Sequence, residues 1–314
     1  MGLRVVFMGT PEFAVPVLES LFRESYNVVA VCTQPDKPVG RGRTLVSSPV
    51  KSLAVEHKIP VIQPRTFKSR EVMEGLASFK PELIIMAAFG LILPQEVLSL
   101  PKFGCLNVDP SLLPRHRGAS PIACALLRGD ETTGVTIMLV DAKVDSGPIL
   151  AQRRIEISLQ DSTGSLSSKL AQAGAELLIE ALPEWLEGKL KPQPQDESEA
   201  TYSGLIAKEH GELDWHLSAL ELWRRVRAYH PWPGGYTWWQ GKRLKISEAI
   251  PLGDVAGDEG EVGKVIVMGE SPGIGVVTGS GILGLCQVQL EGKREMPMAD
   301  FVRGQRNFIG STLV

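Results

Sequence analysis

Asn107 and Asp145 are the side chains whose type and setting could do chemistry. Asn107 opens the run Asn107-Val108-Asp109-Pro110-Ser111-Leu112-Leu113-Pro114-Arg115-His116-Arg117-Gly118, and the residues Cys105 to Val108 read as a strand. At the carboxyl end of that strand its amide could donate to a ligand oxygen. Two prolines and a glycine hold the backbone beyond it in a rigid, extended loop. Asp145 lies in a second connection, Asp141-Ala142-Lys143-Val144-Asp145-Ser146-Gly147-Pro148, and could approach the first loop. An Asn and an Asp on loops also serve as caps and turn residues. The residues alone leave both readings open.

The elements that must position them follow from hydrophobic pattern. Leu3–Met8 reads as a buried strand and Gly9-Thr10-Pro11 as a turn, after which Phe13, Val17, Leu18 and Leu21 recur at helical spacing. Val28–Thr33, Leu83–Ala87, Cys105–Val108, Gly134–Asp141 and Ile149–Ile157 are further strands. Pro49–His57 is a helix with Ser48 as its cap, and Thr163–Gly188 is one long helix. Strands alternating with helices give an α/β fold, a parallel-rich sheet covered on both faces. The polar, proline-bearing run from Lys189 to Thr201 reads as a linker. Beyond it, a helix at Leu217–Ala228 precedes short β-like runs at Tyr236–Trp239, Leu244–Ile246, Lys264–Met268, Gly275–Thr278 and Leu283–Leu290. These suggest a small β-barrel or sandwich. The expected domains are 1–189 and 206–314, joined by 190–205.

Composition excludes several classes. The 314 residues are 43% hydrophobic and 22% charged, which argues against a disordered chain. A net charge of -3 gives no bulk signal for nucleic acid, though a local patch can act alone. Cys32, Cys105, Cys124 and Cys286 form no C-x-x-C pair, and His57, His116, His210, His216 and His230 do not cluster, so no metal is expected. The apolar run at the start is too short for a secretory signal, and the longest, Leu83 to Leu93, is about half a membrane span. A cytoplasmic protein, with nothing demanding a dimer, is the expectation. Gly279-Ser280-Gly281-Ile282-Leu283-Gly284 matches G-x-G-x-x-G, but a strand follows it where a dinucleotide site needs a helix, so it reads as a hairpin turn.

The connection from Gln34 to Lys51 is long and irregular, with Lys37, Arg41, Arg43 and Lys51 against Asp36. It is either a solvated loop or an arm for phosphate, which arginine grips bidentately.

Ser111-Leu112-Leu113-Pro114-Arg115-His116-Arg117-Gly118, with Asn107 before it and Asp145-Ser146-Gly147 after it, resembles the signature of the folate-dependent formyltransferases. Phe7–Phe13, Thr33–Pro38 with Gly40-Arg41-Gly42, Ala88–Pro94 and Asp214-Trp215 extend the likeness nearly end to end, toward the members that act on aminoacylated tRNA. The resemblance implies a Rossmann-like domain followed by a smaller OB-like β-barrel that binds tRNA. It implies transfer of a formyl group from 10-formyltetrahydrofolate to the α-amine of methionyl-initiator tRNA. It places folate against Phe89, Gly90, Leu91, Ile92, Leu93, Ser111, Leu112, Leu113, Pro114, Val140, Asp141 and Asp145, and tRNA against Lys37, Arg41 and Arg43. It makes Asn107, Asp109 and Asp145 the catalytic set. The departure is Asp109, where the family carries a histidine. An ionised aspartate only accepts hydrogen bonds, whereas one sharing a proton with Asp145 could donate. A point change that impairs the enzyme, an active variant with a carboxyl pair, and a binder of folate or tRNA without turnover are the readings this leaves. A formyltransferase for another amine is the further alternative.

Overall fold

The computed structural model describes residues 2–39, 44–253, 260–269, 271 and 273–314. Arg41 and Arg43 lie outside the described residues.

The chain forms two compact units: residues 1–121, 132–156 and 167–203 make the first, and 122–131, 157–166 and 204–314 the second. The strands of the first are β1 (Arg4–Gly9), β2 (Asn27–Cys32), β3 (Lys37–Val39), β4 (Thr44–Val46), β5 (Val61–Ile62), β6 (Leu83–Ala87), β7 (Cys105–Asp109), β8 (Arg117–Gly118), β9 (Thr132–Leu139), β10 (Ile149–Glu156) and β11 (Tyr202–Ser203). Seven of them form one sheet in the order β10-β9-β7-β6-β1-β2-β5. The five from β7 to β5 run parallel; β9 is added antiparallel to β7, and β10, antiparallel to β9, runs again in the direction of the five. β1 and β6 are buried throughout except Arg4, as strands covered on both faces must be.

Helix α1 (Val15–Arg23) buries Val17, Leu18 and Leu21 through its i, i+3, i+4 spacing. Helix α2 (Pro49–Glu56) begins as its sequence requires: the Ser48 hydroxyl accepts from the Lys51 N–H, with Pro49 at the first position. Helices α3 (Arg70–Ser78), α4 (Gln95–Leu98) and α5 (Pro121–Arg128) follow, then α6 (Thr163–Leu186). A Cβ added at Gly174 of α6 would lie 2.6 Å from Val108 Cγ1, so this glycine lets the helix approach β7 closely.

Two expectations need correcting. The Gln34–Lys51 connection is not irregular at both ends: Lys37–Val39 pairs antiparallel with Thr44–Val46. Four of those six residues are valine, leucine or threonine, which favour a strand despite the surrounding charge. The polar run after α6 is fastened to the first unit rather than hanging free. Gln193 exchanges backbone bonds with Ile149, Gln195 and Glu197 hold Arg117, and β11 pairs with β8. Its low apolar content hid this, because these fastenings are hydrogen bonds and an ion pair.

The second unit holds helix α7 (Ala219–Tyr229), strands β12 (Gly235–Trp239), β13 (Lys242–Leu252), β14 (Val265–Val267), β15 (Ile274–Val277), β16 (Ile282–Leu290) and β17 (Met296–Pro297), and helix α8 (Met298–Gly304). Ser218 and Glu221 form a reciprocal capping box that starts α7. The sheet runs β12-β13-β16-β15-β14, with β17 added on β16, and is antiparallel throughout. Its two edges are joined through the last residues: Val314 exchanges backbone bonds with Trp238 of β12, while Gly310 and Ser311 bond to Val265 of β14. Pairing both edges removes the exposed strand borders that invite aggregation. Phe308, fully buried, meets Trp239 and Phe301 edge-on inside this barrel. The Gly279–Gly284 run is the turn between antiparallel β15 and β16 and the start of β16.

Candidate active site

The alternation of side chains along β7 sorts its residues by face. Val108 points to α6. Cys105, on the other face, belongs to a buried cluster with Met86, Phe89, Leu93 and Val97, against which Leu91 and Val140 pack. Asn107 and Asp109 continue that second face toward the carboxyl end of the strand. The sheet therefore brings Asn107, Asp109, Phe89, Leu93 and Val140 to one side, as the sequence led us to expect for the first two.

The loop beyond β7 is held from beneath by β9 and β10. Thr136 Oγ1 donates to the Ser111 carbonyl at 2.6 Å and accepts from the Leu113 N–H at 3.2 Å. Gln152 Nε2 donates to the Leu113 carbonyl at 2.8 Å. Leu112 packs over Gly134. The peptide bond between Leu113 and Pro114 is cis.

Asp109 is 5% exposed, and the Ser111 hydroxyl donates to its Oδ1 at 2.5 Å. Asp145 is its charged neighbour. Burial first, and repulsion from Asp145 second, push the Asp109 carboxyl up to about 8. Burial also raises Asp145, opposed by the Gly118 N–H that donates to its Oδ2 at 2.8 Å and by the Arg117 guanidinium. Burial and the neighbouring charge both favour the protonated form of Asp109. Ala88, His116 and Asp145 take positive φ angles of 45°, 61° and 51°. Non-glycine residues pay for that conformation, and its clustering around these strand ends marks a site where geometry is imposed.

A cavity of about 540 Å³ opens over the loop that follows β9, lined by Gln95, Leu98, Val140, Asp141, Ala142, Lys143, Ser146 and Glu197, with none of Asn107, Asp109 and Asp145 in its lining.

Of the residues expected to hold folate, Val140 and Asp141 line this cavity, whereas Phe89 and Leu93 are buried in the cluster beneath. Ser111 and Leu113 are committed to the loop's own hydrogen bonds, and Ile92 is 78% exposed. Pro114 accepts from Thr201 through its carbonyl. Gly90, at φ 79°, lies against Gln34, whose Nε2 donates to the Phe89 carbonyl at 3.1 Å. Asp141 accepts from Ser146 Oγ and the Lys143 N–H, so it also shapes its own loop. Lys37 is exposed and donates to Gln34 Oε1. Sequence reasoning missed Gln195, Thr136 and Gln152, which support the site from strands and the polar run. Only Gly118, inside the signature, carried a legible signal.

A parallel-rich sheet that gathers polar side chains at the carboxyl ends of its strands is a Rossmann-like arrangement, in which ligands bind at those ends. The profile of the formyl transferase family matches residues 3–182, and that of the formyl transferase C-terminal domain matches residues 205–306. The chain belongs to the formyl transferase family. It is 46% identical over 311 residues to a methionyl-tRNA formyltransferase of Dehalococcoides mccartyi, covering 99% of this chain and 98% of the relative. It is 44% identical over 312 residues to the methionyl-tRNA formyltransferase of Geobacter sulfurreducens, covering 99% and 97%. Its fold resembles HypX from Aquifex aeolicus in complex with tetrahydrofolic acid, with a TM-score of 0.63 at 19% identity, over 98% of this chain and 48% of that one.

Proposed function

We propose that this chain transfers the formyl group of 10-formyltetrahydrofolate to the α-amine of methionyl-tRNA. The observation that carries the reading is likeness over nearly the whole length, in both units, to relatives bearing that name. Residues 1–189 serve the chemistry in this account and 206–314 the RNA, with initiator tRNA as the acceptor.

The reaction forms a bond from the neutral amine nitrogen to the formyl carbon while the carbonyl π pair moves to oxygen. Collapse then breaks the bond to N10, and the proton the amine loses ends on N10. Asn107 donates to the oxygen as it takes negative charge; a preorganised donor there is worth about 10²–10³ in rate. Asp109 stays protonated beside Asp145, so the pair can accept the amine's proton at one carboxyl and deliver one to N10 from the other. Ser111 and Gly118 hold the two carboxyls in place through their own donors. Val140, Asp141 and Leu98 form the wall against which the folate ring would lie. Lys37, with Arg41 and Arg43, would meet the phosphates at the tRNA acceptor end.

Incubating the protein with 10-formyltetrahydrofolate and either methionyl-tRNA or a nucleotide-linked amino sugar tests this reading. Formyl on methionyl-tRNA alone supports it. Formyl on the sugar alone assigns the chain to another acceptor, and formyl on neither makes it a binder.

A further inference from the structure

Asp145 is held at both ends of its residue by one continuous polar network. Its carboxylate Oδ2 accepts from the Gly118 N–H at 2.8 Å. Its main-chain carbonyl accepts from Gln195 Nε2 at 2.9 Å, and the same nitrogen donates to the Gly147 carbonyl at 2.7 Å. Gln195 Oε1 in turn accepts from Arg117 Nε at 3.0 Å and Nη2 at 2.8 Å. Arg117 directly precedes Gly118, so the network closes on itself. The Arg117 side chain is 2% exposed, and Glu197 accepts one hydrogen from Nη1 at 3.0 Å and one from Nη2 at 2.9 Å.

Each member is over-determined. Gln195 uses both ends of its amide, and the acceptors it satisfies are two loop carbonyls on either side of Ser146. Flipping the amide would set oxygen against both carbonyls and its NH₂ against a guanidinium, so the orientation is fixed by chemistry. Asp145 itself sits at φ 51°, in the left-handed region that aspartate tolerates better than most side chains. Gly147 has no room for a side chain, because a Cβ there would lie 1.8 Å from the Leu139 carbonyl. The 141–148 loop is thus pinned behind Asp145 by Gly147 and across it by Gln195.

We propose that Gln195 is a positioning residue for Asp145, fixing through its amide the place where that carboxyl meets Asp109. The proposal rests on the functional reading above for its kinetic consequence, but the clamp is a statement about geometry that can be read without turnover. A catalytic group displaced by about an ångström loses up to about a hundredfold in rate, so a loosened clamp that retains its loop should cost at least about tenfold.

Gln195→Glu is the discriminating variant. It keeps two oxygens for Arg117, strengthening that contact, and removes the donor to Asp145 and Gly147, placing a carboxylate against their carbonyls. If Gln195 served only to tether the polar run through Arg117, this variant would behave as wild type. The clamp predicts that exchange of the Gly118 amide hydrogen rises at least about tenfold in Gln195→Glu and in Gln195→Ala. Exchange in β1 should stay unchanged, which reports that the fold is intact. In formylation of methionyl-tRNA both variants should lose at least about tenfold in kcat measured at saturating folate, where weaker folate binding no longer lowers the rate. Unchanged Gly118 exchange in Gln195→Glu overturns the clamp. So does raised exchange with kcat intact. A wild-type protein without transfer activity would overturn the functional reading alone, because the exchange measurement still decides the clamp.

Discussion

Replacing Asp109 by Asn separates hydrogen-bond donation from proton loss at the buried carboxyl. The amide matches a protonated carboxyl in shape and carries a donor that does not titrate. In the wild-type protein Asp109 is lifted to about 8, first by burial and then by Asp145. For a single group at that value the protonated fraction falls from about nine tenths at pH 7 to about one tenth at pH 9. The attacking α-amine also titrates near about 7.7–8.0, so absolute rates of both proteins rise and fall with it. Its effect divides out of the ratio of variant to wild type. That ratio of single-turnover rates should therefore climb about tenfold between pH 7 and pH 9, whatever its starting value. The assay is rapid-quench formylation of methionyl-tRNA at saturating folate across that range. A ratio flat with pH would refute the reasoning, because it would mean that protonation of Asp109 does not govern the chemical step.

Asp109→His places on β7 the histidine that the resemblance implies and should raise the rate at pH 8 by at least about tenfold, as general acid–base groups contribute about 10²–10⁴; an equal or slower histidine form would remove the reading that Asp109 impairs transfer. The same buried proton links stability to pH. Burial raises Asp109 in the folded chain, so the folded state holds a proton that the unfolded chain releases above about pH 4, and stability is lost as pH rises toward 8. Asp109→Asn should accordingly gain Tm over wild type by an amount that grows from pH 5 to pH 8 in calorimetry, and a constant difference would argue that the carboxyl is solvated. Arg41→Ala should weaken use of charged tRNA far more than folate binding, with tRNA affinity falling as salt rises; equal loss of both substrates would indicate misfolding instead. In the second unit, Phe308→Ala removes a fully buried ring between Trp239 and Phe301 and should cost about 3–5 kcal/mol in denaturant unfolding. A loss below about 1 kcal/mol would show that the barrel core collapses into the space.

The sheet was legible because buried strands advertise themselves. Val5–Met8 and Leu83–Ala87 are unbroken apolar runs, and the observed strands match them to within a residue or two. The capped start of α2 rests on local chemistry, Ser48 before proline, whereas the Ser218–Glu221 box that starts α7 was not read from the sequence. The pair β8 and β11 was not legible, since it joins two-residue segments 85 residues apart and neither has a pattern of its own. At the site, Asn107 and Asp109 could be placed because a strand fixes which residues share a face. Gln195 could not, because a glutamine in a polar run gives no sign that its amide is spent on two carbonyls and a buried guanidinium. The expected folate set divided for a related reason. Motif residues such as Ser111 and Leu113 are needed to hold the loop, and only the geometry separates that duty from contact with a ligand.

In the proposed reaction Asn107, at the end of β7, stabilises the charge that develops on the formyl oxygen. The single-turnover rate of formyl transfer to methionyl-tRNA in Asn107→Ala, measured beside the equilibrium affinity for tetrahydrofolate, tests this role. A loss of about 10²–10³ in rate with folate affinity within about threefold of wild type is expected. A rate within about threefold of wild type, or a loss that folate binding explains in full, would refute it.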